Sequence, residues 1–278
     1  MPHSDSRSRN HQKIRICSAQ VSSIWENPEK TLEKIRPLIR HAASSGAEII
    51  VFPEQFATGW DPSSTKNSQD LNGSIVSTLR EYAREYSIAI LGSFREQTSF
   101  DKIQNSGIVI GKMGEILAKY AKMHLFSPAR EDEKFSPGEN LGMFSLGSLK
   151  CGIAICYDLR FPSLFQIYAE HGVQAVIVPA AWPKSRSRYW ELFLTSRAAE
   201  NQMYLIGVNT TGTTPVDTYS GSSMMVDPHG VIISRANDAE QLLFCDLDPG
   251  IVATTRNDFP VSQDRKHGLY HALLQNRK

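Results

Sequence analysis

The chain has 278 residues, 30 Lys plus Arg against 29 Asp plus Glu, a formal net charge of +1, and 41% apolar and 21% charged side chains. So balanced a charge argues against the broad basic footprint that nucleic-acid binding needs, and no apolar run approaches the ~20 residues of a membrane-spanning helix. Four cysteines (Cys17, Cys151, Cys156 and Cys245) with no Cys-x-x-Cys pair argue against a disulfide scaffold and a thiolate zinc site.

Residues Met1 to Gln12 are polar and basic, with no apolar segment, and read as a disordered tail; with the cysteine usage, the expected compartment is the reducing cytoplasm. Lys13 to Gln20 then alternates as a strand, and a helix is predicted from Pro28 to about Ser45, stopped by Gly46. Glu48 to Phe52 is a short apolar strand ending at Pro53-Glu54. A helix over Ser74 to Tyr86 feeds the strand Ile88 to Gly92, and Asn105 to Ile110 and Glu115 to Tyr120 flank a hairpin turn at Gly111 to Gly114. The second half repeats the rhythm: strand Leu149 to Ile155, helix Pro162 to His171, strand Gln174 to Pro179, helix Tyr189 to Asn201, strand Met203 to Asn209. Tyr219 to Val226 and Val231 to Arg235 flank the turn Asp227-Pro228-His229-Gly230, and Gln241 to Asp246 is the last strand before an irregular tail. No linker-like shift and no internal repeat interrupts residues 13–278. One α/β domain with mixed sheets is expected, helices covering one face and a second sheet the other.

Three predicted strands run into reactive side chains: Glu54, Lys122 and Cys156. Strand ends that open on a common crevice are where α/β folds hold reacting groups. Singly, each has a plain structural reading: a cysteine as a small buried hydrophobe, a glutamate in a solvated turn, a lysine on the surface. The strings around them are what single them out: Phe52-Pro53-Glu54, Tyr120-Ala121-Lys122-Met123-His124-Leu125-Phe126, and Ile155-Cys156-Tyr157-Asp158-Leu159-Arg160-Phe161-Pro162. Together, with spacings of 68 residues from Glu54 to Lys122 and 34 from Lys122 to Cys156, they resemble the carbon–nitrogen hydrolase (nitrilase) superfamily over about Ile14 to Phe244.

The resemblance implies a four-layer α-β-β-α sandwich and a Glu54–Lys122–Cys156 catalytic triad working without cofactor or metal. Residue chemistry agrees with those roles: a thiolate is the nucleophile and a nearby ammonium favours it, a carboxylate serves as general base, and an ammonium with the Tyr157 backbone N–H stabilises an oxyanion. Members carry a second glutamate before a Pro-Gly turn; Glu131, six residues before Pro137, matches it, with Glu133 as the alternative. Cys17, Cys151 and Cys245 lie in apolar strand patterns and are expected to pack. His124 is read as a structural hydrogen-bonding residue, and Asp158 with Arg160 as a buried ion pair or a brace of the turn.

The run Cys-Tyr-Asp-Leu-Arg-Phe-Pro is similar to the Nit and ω-amidase branch, as are Ala181-Trp182-Pro183, Tyr189-Trp190 and Arg197 to Gln202. That branch implies hydrolysis of the terminal amide of small dicarboxylic monoamides such as 2-oxoglutaramate and succinamate. The distal carboxylate of such a substrate needs a cation, for which Arg186 is chosen because a guanidinium matches a carboxylate bidentately; Trp182 is expected to wall the pocket. The alternatives are N-carbamoyl compounds, deaminated peptide amides or aliphatic amides on the same machinery, and a catalytically silent dimeric scaffold. The resemblance further implies a homodimer paired through the helices Pro162 to His171 and Tyr189 to Asn201, where Leu164, Phe165, Tyr168, Leu192 and Phe193 serve either that interface or the core. A small-molecule amide, and neither nucleic acid nor membrane, is the expected partner.

Overall fold

Period-two burial along the strands determines how the layers form. In the computed structural model, which describes residues 12–98 and 102–275, the elements run β1 (Ile14–Gln20), α1 (Pro28–Ser44), β2 (Ile49–Val51), α2 (Ser74–Tyr86), β3 (Ala89–Gln97), β4 (Ile103–Ile110) and β5 (Ile116–Ala121). There follow β6 (Gly142–Leu146), β7 (Leu149–Ile153), α3 (Pro162–Glu170), β8 (Ala175–Ala180), α4 (Ser187–Asn201) and β9 (Tyr204–Asn209). The chain closes with β10 (Thr211–Thr213), β11 (Thr218–Ser220), β12 (Met224–Val226), β13 (Ile232–Arg235), β14 (Gln241–Leu247), α5 (Pro249–Asp258) and α6 (His267–Gln275). The predicted tail, Gln12 apart, lies outside the described residues.

Two six-stranded sheets result, ordered β14-β1-β2-β3-β4-β5 and β13-β12-β9-β8-β7-β6. In each, three parallel strands (β1, β2, β3 and β7, β8, β9) form the centre and antiparallel strands the flanks. Central parallel strands are buried on both faces, so they read as unbroken apolar runs; all six residues of β8 are buried. In the first sheet Ile14, Ile16, Ile49, Val51, Ala89, Leu91 and Val109 face the second sheet. The alternate residues Cys17, Ala19, Ile50, Ile90, Ile108 and Ile110 pack with Leu32, Ile35 and Ile39 of α1 and Val76 and Leu79 of α2. On the far side, α3 and α4 cover the second sheet; a Cβ on Gly207 of β9 would lie 2.5 Å from Leu194 and 2.6 Å from Trp190 of α4, so this strand needs glycine there. The architecture is therefore the α-β-β-α sandwich.

Four features depart from the sequence reading. The strand β6 is absent from it; this is an edge strand with an exposed Ser145. Tyr219 to Val226 splits into β11 and β12, because Gly221 and Ser222 both take positive φ (60° and 58°). The tail after β14 is helical rather than irregular: Asp248 caps α5 through Gly250 N at 2.8 Å with Pro249 in the first turn. The last helix, α6, buries none of its residues.

Candidate active site

The strand ends after β2, β5 and β7 meet at the edge between the two sheets. β2 stops at Pro53, which has no N–H to extend the ladder. Gln55 then turns the chain with φ 46°, its N–H donating to Ser93 Oγ at 2.6 Å and its Oε1 accepting from Arg95 Nε at 2.9 Å. The turn aims Glu54 inward. Lys122 directly follows β5; its carbonyl accepts from Gly138 N at 2.9 Å, and any Cβ at Gly138 would collide with the Ala121 carbonyl, which accounts for the Pro137-Gly138 pair.

Cys156 opens a short 3-10 turn (Cys156–Arg160) at φ 44°, a conformation residues with side chains seldom take and one that concentrates at functional sites. Asp158 braces that turn: Oδ2 accepts from Ile155 N at 2.8 Å and Tyr120 Oη at 2.7 Å, while Oδ1 accepts from His124 N at 2.9 Å and lies 2.7 Å from His124 Nδ1. Of the two roles expected for Asp158, bracing is the one seen. Arg160 does not pair with it; its guanidinium sits 5.1 Å from the Trp182 ring centre and 5.2 Å from those of Tyr189 and Phe193.

Glu54, Lys122 and Glu131 form one buried cluster. Lys122 Nζ donates to Glu54 Oε1 at 2.7 Å and to Glu131 Oε2 at 2.9 Å, and all three side chains are no more than 1% exposed. Glu131 also accepts from Phe126 N at 2.7 Å, and Ala181 N donates to Glu54 Oε2 at 3.0 Å. Glu133 is exposed and pairs with Arg130, so of the two candidates Glu131 is the one in the site. Asn105 escapes the sequence reading: its Nδ2 donates to Glu54 Oε1 at 2.7 Å and to Glu131 Oε1 at 3.1 Å. Nothing about an asparagine within a strand pattern announces that contact.

Two acids sharing one cation are driven apart in proton affinity. Burial raises Glu54, and Lys122 only partly offsets this while the charge of Glu131 adds to it. Burial raises Glu131 too, but Lys122 and the hydrogen bonds from Phe126, Lys122 and Asn105 outweigh it and leave Glu131 below its ordinary value. Burial would lower Lys122, yet the two carboxylates hold it above its usual range and therefore charged. Burial, then the charge of Glu54, push the Cys156 thiol well above its ordinary value against the pull of Lys122. The resting state is thus a neutral thiol beside a carboxylate and an ammonium.

A cavity of about 170 Å³ opens onto Cys156 and Lys122, walled by Trp60, Phe126, Tyr157 and Trp182, with Arg160, Arg186 and Asp217 at its lining. All the predicted site residues except Glu54 and Glu131 line it; those two lie behind Lys122. Arg186 stands over the Phe126 ring at 5.0 Å, and Trp182 Nε1 donates to the Arg186 carbonyl at 2.8 Å. A larger groove of about 1030 Å³ between the end of α4 and α5 contains none of these groups. Among the described residues no group of three or more His, Cys, Asp or Glu is placed to hold a metal ion, and no helix is long and apolar enough to cross a membrane.

Comparison with known proteins agrees with this geometry. The sequence matches the carbon-nitrogen hydrolase family over residues 15–257. It is 32% identical to omega-amidase NIT2 of Danio rerio, covering 93% of this chain and 96% of that one. It is 30% identical to the 2-oxoglutaramate amidase of Bacillus subtilis (strain 168), covering 93% and 100%. Among solved structures it superposes on the amidase of Nesterenkonia sp. AN1, from the nitrilase superfamily, with a TM-score of 0.86 at 27% identity over 95% of this chain and 98% of that one. The chain belongs to the carbon–nitrogen hydrolase family.

Proposed function

We propose that this protein is an ω-amidase-like amidohydrolase, cleaving the terminal amide of small dicarboxylic monoamides such as 2-oxoglutaramate and succinamate to acid and ammonia. The observation that carries this reading is a pair of guanidiniums, Arg160 and Arg186, lining the Cys156 cavity and engaged in no ion pair among the described residues. They stand against aromatic faces, where a guanidinium keeps its charge and its hydrogen-bond fork available for a carboxylate. The names of the relatives support the amide chemistry, as does an acetamide moiety joined to the active-site cysteine of the Nesterenkonia amidase.

In this mechanism Glu54 takes the Cys156 proton as Sγ attacks the amide carbonyl. Lys122 Nζ and the N–H of Tyr157 stabilise the oxyanion; Tyr157 is second in its turn, where N–H groups have no partner within the turn. Glu54 returns the proton to the leaving nitrogen, ammonia departs and a thioester remains. Water, deprotonated by Glu54, cleaves that thioester. Glu131 holds Lys122 charged and orients the substrate amide.

The test is ammonia release from 2-oxoglutaramate and succinamate by the wild type and by Cys156→Ala, with acetamide and an N-carbamoyl amino acid alongside. Turnover of the dicarboxylic monoamides that vanishes in the variant is expected. Turnover of acetamide alone, or carbon dioxide accompanying ammonia, overturns the substrate class; no reaction with any of them by folded protein returns the silent scaffold.

Two copies pairing through α3 and α4 belong to the same reading. Leu164, Phe165 and Tyr168 are buried within the chain and cannot serve that contact, whereas Ile167, Tyr189 and Leu192 are 41%, 46% and 51% exposed. Light scattering should give a dimer mass that Leu192→Glu lowers to the monomer.

A further inference from the structure

Glu54 has two oxygens but only one can take the thiol proton, and the hydrogen bonds around it decide which. Oε1 is occupied twice, by Lys122 Nζ and by Asn105 Nδ2, each at 2.7 Å. Oε2 has a single donor, Ala181 N at 3.0 Å, and the same N–H acts on Cys156. Oε2 is therefore the oxygen on the thiol side.

Asn105 is placed for this by its strand. It lies on β4, fully buried, and its carbonyl accepts from Lys122 N at 2.9 Å, so backbone and side chain grip the same cluster. The two hydrogens of its amide meet the two carboxylates, and its Oδ1 has no partner. Rotating the amide by half a turn would point Oδ1 at both anions, which their charge forbids. A buried polar atom left without a partner is costly, and here the compensation is two charge-assisted bonds on the opposite edge of the same amide.

Resting on the amidase reading above, we infer that Asn105 is a positioning residue that keeps Glu54 Oε1 occupied, so that the Cys156 proton passes to Oε2, and that favours the ionised form of Glu54 without adding a charge. A neutral donor suits this role. A second cation beside Lys122 would balance both carboxylates and leave Glu54 a poor base, whereas an apolar side chain would let Glu54 hold its proton. The other groups facing Glu54 are Lys122 after β5, Glu131, Cys156 after β7, and Tyr219 of β11.

The test follows Cys156 itself. Alkylation by iodoacetamide, read as mass gain on Cys156 against pH, needs the thiol proton removed but needs no knowledge of the substrate. In Asn105→Leu the acid-side midpoint should move up by about one pH unit, slowing reaction about tenfold below it. Asn105→Ser, which retains one O–H donor, should fall between Leu and wild type. Asn105→Ala repeats the measurement in case the leucine variant does not fold. A uniformly slower reaction with the midpoint unmoved in the folded variants would overturn the inference and reduce Asn105 to a packing residue. If the midpoint shifts as expected while no amide is hydrolysed by the wild type, the positioning role stands and the substrate reading falls.

Discussion

The two sides of the Cys156 cavity are built on opposite principles. Behind the nucleophile, Glu54, Lys122, Glu131 and Asn105 are fully enclosed and every charge is hydrogen-bonded to another member. In front of it, Arg160 and Arg186 are half-buried, lean on ring faces and lack carboxylate partners. Charges paired inside the protein cannot change partner without leaving an uncompensated ion in a low-dielectric interior, so the rear fixes protonation states and geometry. Cations that are desolvated on one side by aromatic rings but left without an anion are prepared for one that arrives from solution. The chemistry is held rigid; the recognition is left open.

Substitutions can break the contrast, most severely at the rear. Lys122→Met leaves two buried carboxylates without a cation, and should cost about 3–5 kcal/mol of stability as well as turnover, read by thermal or denaturant unfolding and ammonia release. Cys156→Ala should lower kcat by about 10⁴-fold or more with little change in stability. The active form pairs a neutral thiol with ionised Glu54, so activity should fall as pH drops through the raised value of Glu54; the acid limb of kcat/KM therefore lies above the ordinary carboxylate pKa of ~4.3. An acid limb at or below that value would show that Glu54 is not the base.

At the front the effects should be smaller and dependent on substrate. Arg186→Ala should raise KM for succinamate roughly 10- to 100-fold, the worth of a charge-assisted bond, and barely alter acetamide turnover. Equal losses on both would remove Arg186 from the carboxylate site, and the same pair of measurements on Arg160→Met apportions the role between the two. Smallest of all, Glu133→Ala, two residues from Glu131 but exposed, should stay within about 0.5 kcal/mol in stability and leave kcat unchanged.

Much of the rear is legible in one dimension. Glu54, Lys122 and Cys156 stand where short apolar runs end, and strand ends are recognisable because period-two burial and the Pro53 stop are local properties. Glu131 is separable from Glu133 only by its distance from Pro137, and burial makes the choice. Asn105 leaves no trace, since its importance comes from contacts 51 and 26 residues away in the chain. Arg160 is expected beside Asp158 because the two are neighbours in sequence; in the fold they diverge, the acid turning inward to Ile155 N and His124, the arginine outward to Trp182 and Phe193. The helix α5 is hidden because Asp248-Pro249-Gly250 can serve equally as a turn or as a helix cap.

Sequence alone therefore determined the elements, the two buried sheets they imply and the reactive side chains at their ends, because hydrophobic period and chain-breaking residues act within a few positions. Tertiary structure decided which glutamate is enclosed, which oxygen of Glu54 faces the thiol and which cations remain unpaired. Those outcomes depend on desolvation and on hydrogen bonds between segments distant along the chain, and neither exists until the two sheets have closed on one another.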